Sequence, residues 1–195
     1  LMAFTQPDKL AAAVEEARVT AEVGIEYEEL DGDGIREREP GLSENVIGGI
    51  YHSGDAHMEP ASFVRAVGQH LRENGAPVHE GVEVLGVERS GRSVSIVSTT
   101  HGRFRAREVV IAGGAWSPGI AGPLGLRFPI QPAKGYSVTV RRPENAPSIP
   151  LLLPETRVAV TPMGDTLRFA GTLELAGLDM SVNMRRGQAI IDGVP

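Results

Sequence analysis

The sequence predicts an α+β chain built on a mixed, largely antiparallel sheet, and three observations lead there. Short segments of strand character follow one another between glycine and proline turns, at residues 82–112 and again at 135–171. Two segments, near 8–24 and 60–74, instead carry apolar residues at helical spacing. Residues 107–119 read Arg-Glu-Val-Val-Ile-Ala-Gly-Gly-Ala-Trp-Ser-Pro-Gly: an apolar run, paired glycines, and a helix start with Ser117 as N-cap and Pro118 as first residue. In an open α/β sheet such a strand end gathers ligands, because free N–H groups and the helix dipole favour an anion. Taken alone, it reads first as a tight turn after a core strand.

In chain order, Pro7-Asp8 followed by Leu10, Ala11, Val14 and Ala17 predicts a capped amphipathic helix ending near Gly24. Residues 25–30 alternate apolar and acidic, as a half-exposed strand does. Asp31-Gly-Asp-Gly34 reads as an acidic turn; a calcium loop would need glutamate at the twelfth position, where Leu42 stands. Residues 47–51 form a short strand. His52 and His57 fall in a turn-rich connection without further metal ligands at helical spacing. Phe63, Val64, Val67 and Leu71 then give a helix over 60–74, stopped by Asn74-Gly75. Strands are expected at 82–88, 93–99, 103–106 and 108–112, with turns at 90–92 and 101–102, and later at 135–140, 151–153, 157–161 and 167–171. Three prolines make residues 143–150 an extended loop, and residues 180–191 a last helix.

The 195 residues suffice for one large or two small domains with a substantial core. A net charge of −6, with no basic run interleaved with aromatics, argues against nucleic acid as partner. The absence of cysteine removes disulfides, thiol chemistry and thiolate metal sites, so composition leaves the compartment open. No signal-peptide pattern and no run near about 18 apolar residues is present, so a soluble chain is expected.

Several ordered segments carry a resemblance. Val-Val-Ile-Ala-Gly-Gly-Ala-Trp-Ser117 resembles the "hhxAxGxWS" segment of the D-amino acid oxidase-like flavoproteins. Ile47-Gly-Gly-Ile-Tyr-His-Ser-Gly-Asp-Ala-His-Met-Glu-Pro60 is similar to their "GGxyxPxDxHxDPxxF" segment, with Ser53 and Glu59 departing from the pattern. Gly81-Val-Glu-Val84 is similar to the strand whose valine meets the adenine of FAD. Gln131-Pro-Ala-Lys-Gly-Tyr-Ser137 and the stretch from Thr161 to Glu174 resemble the "PxKGYS" and "TxxxxxxRxxGxxE" elements of the D-amino acid dehydrogenase branch.

The resemblance implies FAD as cofactor and hydride transfer from the α-carbon of a small amino acid, with the imine hydrolysed to a 2-oxo acid. It implies residues 1–50 and 126–195 as a β-rich substrate-binding portion and 51–125 as a partial FAD-binding portion. Arg168 is the implied carboxylate anchor, with Tyr136 as a further donor to the same carboxylate, Lys134 near the flavin and His57 as a flavin-side candidate. Val84, Ala112, Gly113, Gly114 and Trp116 are the implied cofactor contacts, Gly113 tolerating no side chain. The alternatives are a surface arginine on an edge strand, sheet-capping Tyr136 and Lys134, and an ordinary loop histidine. No G-x-G-x-x-G turn follows a strand here, so a central fragment is expected, inactive by itself and exposing an apolar edge at 109–111 that favours self-association or marginal folding. For the parent, a cytoplasmic location with a peripheral link to the inner membrane and its quinone is implied. A glycine or sarcosine-type amine oxidase and a non-catalytic ligand-binding module remain alternatives.

Overall fold

The computed structural model describes residues 1–91 and 93–194. In chain order the elements are β1 (Met2–Phe4), α1 (Pro7–Ala21), β2 (Glu28–Asp31), α2 (Gly32–Arg38), β3 (Gly48–Tyr51), α3 (Pro60–Glu73), β4 (Val84–Ser90), β5 (Ser93–Thr99) and β6 (Gly102–Arg105). They continue with α4 (Ser117–Ala121), β7 (Lys134–Arg141), β8 (Leu151–Leu153), β9 (Val158–Met163), β10 (Thr166–Glu174) and α5 (Met184–Asp192). Two compact units result. One joins Leu1–Glu59, Lys134–Glu174 and the chain from Met180 onward; the other holds Pro60–Ala133 with Leu175–Asp179. No helix among the described residues is long and apolar enough to cross a membrane.

The first unit is organised by a seven-stranded sheet in the order β2-β3-β1-β8-β9-β10-β7. Every pairing is antiparallel except that of β1 with β8. Alternation along β9 buries Val158, Val160 and Pro162, and along β8 it buries Leu151 and Leu153. These residues join Leu30, Val46, Tyr136 and Leu167 in the larger core, closed by Ile35 of α2 and Ile190 of α5, both fully buried. On β1, Ala3 points into that core while Phe4 enters a second one with Ile50 and with Val14 and Ala17 of α1. The adjacent positions face opposite ways because side chains alternate along a strand, so α1 covers one face and α2 and α5 the other.

Two carboxylates fasten distant chain to this frame. Helix α1 has Gln6 as N-cap without a side-chain bond of its own. Glu155, from the β8–β9 connection, serves instead: its oxygens accept from Thr5 N at 3.0 Å, Thr5 Oγ1 at 2.5 Å and Gln6 N at 2.8 Å. A negative group at a helix N-terminus also complements its dipole. Glu39, buried after α2, accepts from Ser148 N, Ser148 Oγ and Ile149 N at 2.9, 2.6 and 2.9 Å. The proline-rich loop 143–150 is thereby tied down, since a buried carboxylate is tolerated only when its oxygens are satisfied.

Several expectations need correction here. Strand β1 had no sequence signal. Asp31 to Gly34 is the start of α2 rather than a free acidic turn, with Asp31 Oδ1 accepting from Gly34 N at 2.8 Å as the N-cap. Strand β10 lies between β7 and β9, so Arg168 does not sit on an edge strand. The last helix starts at Met184, where Asn183 Oδ1 caps Arg185 N.

The second unit contains α3, the meander β4-β5-β6 and the segment around α4. Helix α3 forms where its spacing predicts, with Phe63, Val64, Val67 and Leu71 exposed. The turn expected at 90–92 extends to Arg92, which lies outside the described residues. Residues 109–111, expected as a buried strand, pair with no strand among the described residues, and Val110 is 89% exposed. An apolar run becomes a strand only through a ladder, and no described segment supplies one. Ser117 is not an N-cap: it is the first residue of α4, buried, after a 3-10 turn over Gly114–Trp116.

Two outcomes are expected. An added Cβ at Gly49 would collide with Met2 O and stand 2.6 Å from Ile35 Cδ1, so Gly49→Ala should cost about 1–3 kcal/mol in a urea unfolding experiment. Burial alone would raise the pKa of Glu155, but the bonds from Thr5 and Gln6 outweigh it and hold the carboxyl below its ordinary value. Its contribution is therefore complete above the unfolded glutamate pKa and lost as pH falls through the lower folded value. Thermal melts from neutral to acid pH should show Glu155→Gln less stable at neutrality and the gap closing in acid.

Candidate functional site

Beside the far ends of β9 and β10 the sheet opens into a cleft of about 860 Å³, whose lining includes Tyr136, Arg157, Arg168, Thr172, Leu173 and Arg186. Arg168 and Tyr136 thus border one cleft, but from opposite faces of the sheet. Arg168 pairs with Thr139 and Gly171 with Tyr136 in an unbroken register. Three steps along β10 invert the side-chain direction. Tyr136 accordingly joins the core face with Leu167, while Arg168 is exposed on the other. Between Gly171 and Leu173 the register slips in a bulge, and Thr172 there takes φ 53. Arg157, just before β9, takes φ 58.

The Tyr136 hydroxyl is already engaged: it donates to Glu174 Oε2 at 2.6 Å. Lys134 Nζ lies 3.6 Å from the same oxygen and donates to Ser181 O at 2.7 Å. Arg186 Nε approaches that oxygen to 3.3 Å, within ion-pair range but without hydrogen-bond geometry, and it is buried with no hydrogen-bond partner. The hydrogen bond from Tyr136 is the main cause that holds the Glu174 carboxyl below its ordinary pKa; desolvation opposes it, and Lys134 and Arg186 add to it. Glu174 closes the Thr161-to-Glu174 segment and carried no assigned role. Its position beside Lys134 and Tyr136 follows from the β7–β10 register, which pairs Glu174 with Lys134. Nothing in the sequence marks Arg157 or Arg186.

His57 is exposed in the connection between β3 and α3 and is not among the residues lining the cleft. Val84, Ala112, Gly113, Gly114 and Trp116 all belong to the second unit. Val84 opens β4 and is 38% exposed, and Trp116 is 59% exposed. Gly114 holds φ 54, a left-handed backbone that suits glycine. At Gly113 an added Cβ would meet only Ser117, at 3.4 Å or beyond, so the protein itself leaves room there. Residues 109–113 lie outside any ladder among the described residues; Val110, Ala112, Gly114 and Trp116 are exposed, and Val109, Ile111, Gly113 and Ala115 are half-buried.

The family model described as "DAO: FAD dependent oxidoreductase" matches residues 1–194. The chain belongs to this family of FAD-dependent oxidoreductases. The D-amino acid dehydrogenase of Dechloromonas aromatica (strain RCB) is 33% identical over 199 residues, covering 97% of this chain and 48% of the relative. That of Cereibacter sphaeroides (strain ATCC 17029 / ATH 2.4.9) is 33% identical over 195 residues, covering 97% and 45%. The chain therefore spans about half the length of the curated relatives it matches. Among solved structures, glycine oxidase from Bacillus cereus ATCC 14579 superposes with a TM-score of 0.86 at 26% identity, covering 98% of this chain and 52% of that one. L-proline dehydrogenase from P. horikoshii shares the fold, with a TM-score of 0.82 at 17% identity over 99% of this chain and 54% of that one. FAD is the cofactor of the family.

Replacing Tyr136 by Phe should raise the pKa of Glu174 toward its ordinary value. A carboxyl titration followed by NMR checks this, and an unmoved midpoint would place the cause elsewhere.

Proposed function

We propose that this chain carries the substrate-facing part of an enzyme that oxidatively deaminates D-amino acids. The observation that carries the proposal is Arg168, an exposed arginine projecting from the middle of a sheet strand into a cleft, in a chain 33% identical to proteins named D-amino acid dehydrogenase. A planar guanidinium donates two parallel hydrogen bonds to a carboxylate and fixes its orientation, which a lysine in the same place does less well. Anchoring the α-carboxylate turns the α-carbon toward a fixed acceptor.

FAD, when bound, supplies the two-electron acceptor. The α C–H bond breaks with its electron pair, the amine loses a proton to give an imine, and water converts the imine to a 2-oxo acid and ammonia. In this account Arg168 binds and orients. Glu174, held ionised by Tyr136, Lys134 and Arg186, fixes the rim of the cleft, and His57 is assigned to the flavin side. Val84 and the 112–116 backbone contribute to the adenine and pyrophosphate side.

A second reading, a glycine or sarcosine-type oxidase, is favoured by the likeness to glycine oxidase. The same carboxylate anchor serves both, and the substrate's α-substituent separates them: the first requires activity on D-alanine above glycine.

Arg168→Leu in the complete protein removes a charge-assisted pair of roughly 1.5–3 kcal/mol. Substrate affinity should fall by about one to two decades. Because Arg168 is exposed, the thermal midpoint should stay unchanged, and an unaltered apparent substrate constant would remove Arg168 as the anchor.

A further inference from the structure

Among the described residues, Arg157 (φ 58) and Thr172 (φ 53) are the non-glycine positions with a left-handed backbone, and both line the Arg168 cleft. This conformation crowds Cβ against the following carbonyl and is most unfavourable for a β-branched residue such as threonine. Strain of this kind persists where surrounding structure enforces it, and it collects at ligand sites. The two face each other: Gly171 pairs with Val158, which sets Arg157 beside Thr172.

The charge of the cleft is one-sided. Arg157, Arg168 and Arg186 line it, and no Asp or Glu is among its lining residues. Among the described residues neither the Arg157 nor the Arg168 guanidinium makes a hydrogen bond or ion pair, whereas Arg186 is already ion-paired, its Nε 3.3 Å from Glu174 Oε2. One α-carboxylate pairs with one of these cations. A ligand with an apolar side chain would cover the second unpaired guanidinium without compensating it, which disfavours binding because a desolvated charge needs a partner. A second carboxylate supplies that partner.

We propose that the cleft takes an amino acid of the aspartate or glutamate class, its α-carboxylate on Arg168 and its side-chain carboxylate on Arg157. The inference rests on the role given to Arg168 above and adds the substrate class. Four residues of β10 separate Arg168 from the position beside Arg157, roughly 13 Å along the strand. Two long arginine side chains narrow that span to the length of a four- or five-carbon dicarboxylate. Thr156 and Thr172 line the same cleft and offer hydroxyl donors.

Isothermal titration of the full chain with D-glutamate, D-aspartate, D-alanine and inorganic phosphate tests this. The acidic amino acids should bind about tenfold more tightly than D-alanine, the gain expected of one further charge-assisted pair. Arg157→Gly should abolish that preference by weakening the acidic amino acids, without weakening D-alanine, and raise the melting temperature, because glycine accepts the left-handed backbone. The variant thus stays folded while losing the guanidinium. Equal affinity for D-alanine and D-glutamate, or a preference that survives Arg157→Gly, overturns the proposal. Phosphate binding as tightly as D-glutamate also overturns it, marking an anion cleft without selectivity for amino acids. If D-alanine binds and Arg168→Leu abolishes its binding while no acidic preference exists, only this inference falls. If no D-amino acid binds, the Arg168 anchor falls with it.

Discussion

Three residues, Met2–Phe4, hold the larger unit together. Strand β1 lies between β3 and β8, with Met2 opposite Ile50 on one side and Leu152 on the other. It joins sequence from the first sixty residues to sequence beyond 134 in one sheet. The contact is short: on its parallel side Leu152 N donates to Leu1 O at 2.8 Å and the Leu1 ammonium donates to Pro150 O at 3.2 Å. What makes so short a strand hold is its surroundings: Ala3 and Phe4 are buried on opposite faces, Gly49 lets its backbone approach closely, and Glu155 binds Thr5 and Gln6 immediately after it. Removing side chains from the partner strand and satisfying the exit with a carboxylate offset the entropy of closing a loop of about 150 residues, a cost that grows only slowly with loop length.

The cleft is a consequence of that frame. Strand β10 is longer than β9 and runs past it, so its last residues, Leu173 and Glu174, pair only with β7. Where the ladder ends, the bulge and the two left-handed residues bend the chain. Helix α5 closes the core face there through Ile190, which approaches Gly171. Arg186 of the same helix is thereby carried to Glu174. Structural support on one face and the ion-paired rim thus come from the same few residues, and substitution of Glu174 or Arg186 would disturb packing and charge together.

Much of this was legible in the residues, for reasons that differ by element. Helices α1 and α3 show strong punctuation, Pro7-Asp8 in one and Pro60 with Asn74-Gly75 in the other, and their apolar positions recur at helical spacing. Strands β4 to β10 alternate between glycine and proline turns. Met-Ala-Phe at 2–4 is too short for periodicity, and α2 hides behind a sequence that also suits a turn. Residues 109–111 mislead in the opposite direction, because a buried-strand composition does not provide a partner. At the site, Arg168 and Tyr136 could be named only through resemblance. Their opposite faces depend on a register that no single strand encodes. The left-handed backbone at Arg157 leaves no trace in residue type, since arginine is not selected for it.

The most direct test is anaerobic mixing of the FAD-loaded complete protein with D-alanine, D-glutamate, their L-enantiomers, glycine and sarcosine, following the visible band of oxidised flavin. Oxidation of the α-carbon must bleach that band whatever the later electron acceptor. The account predicts bleaching by D-amino acids, with none by the L-enantiomers. Bleaching by glycine and sarcosine alone, or by none of the six, would contradict it.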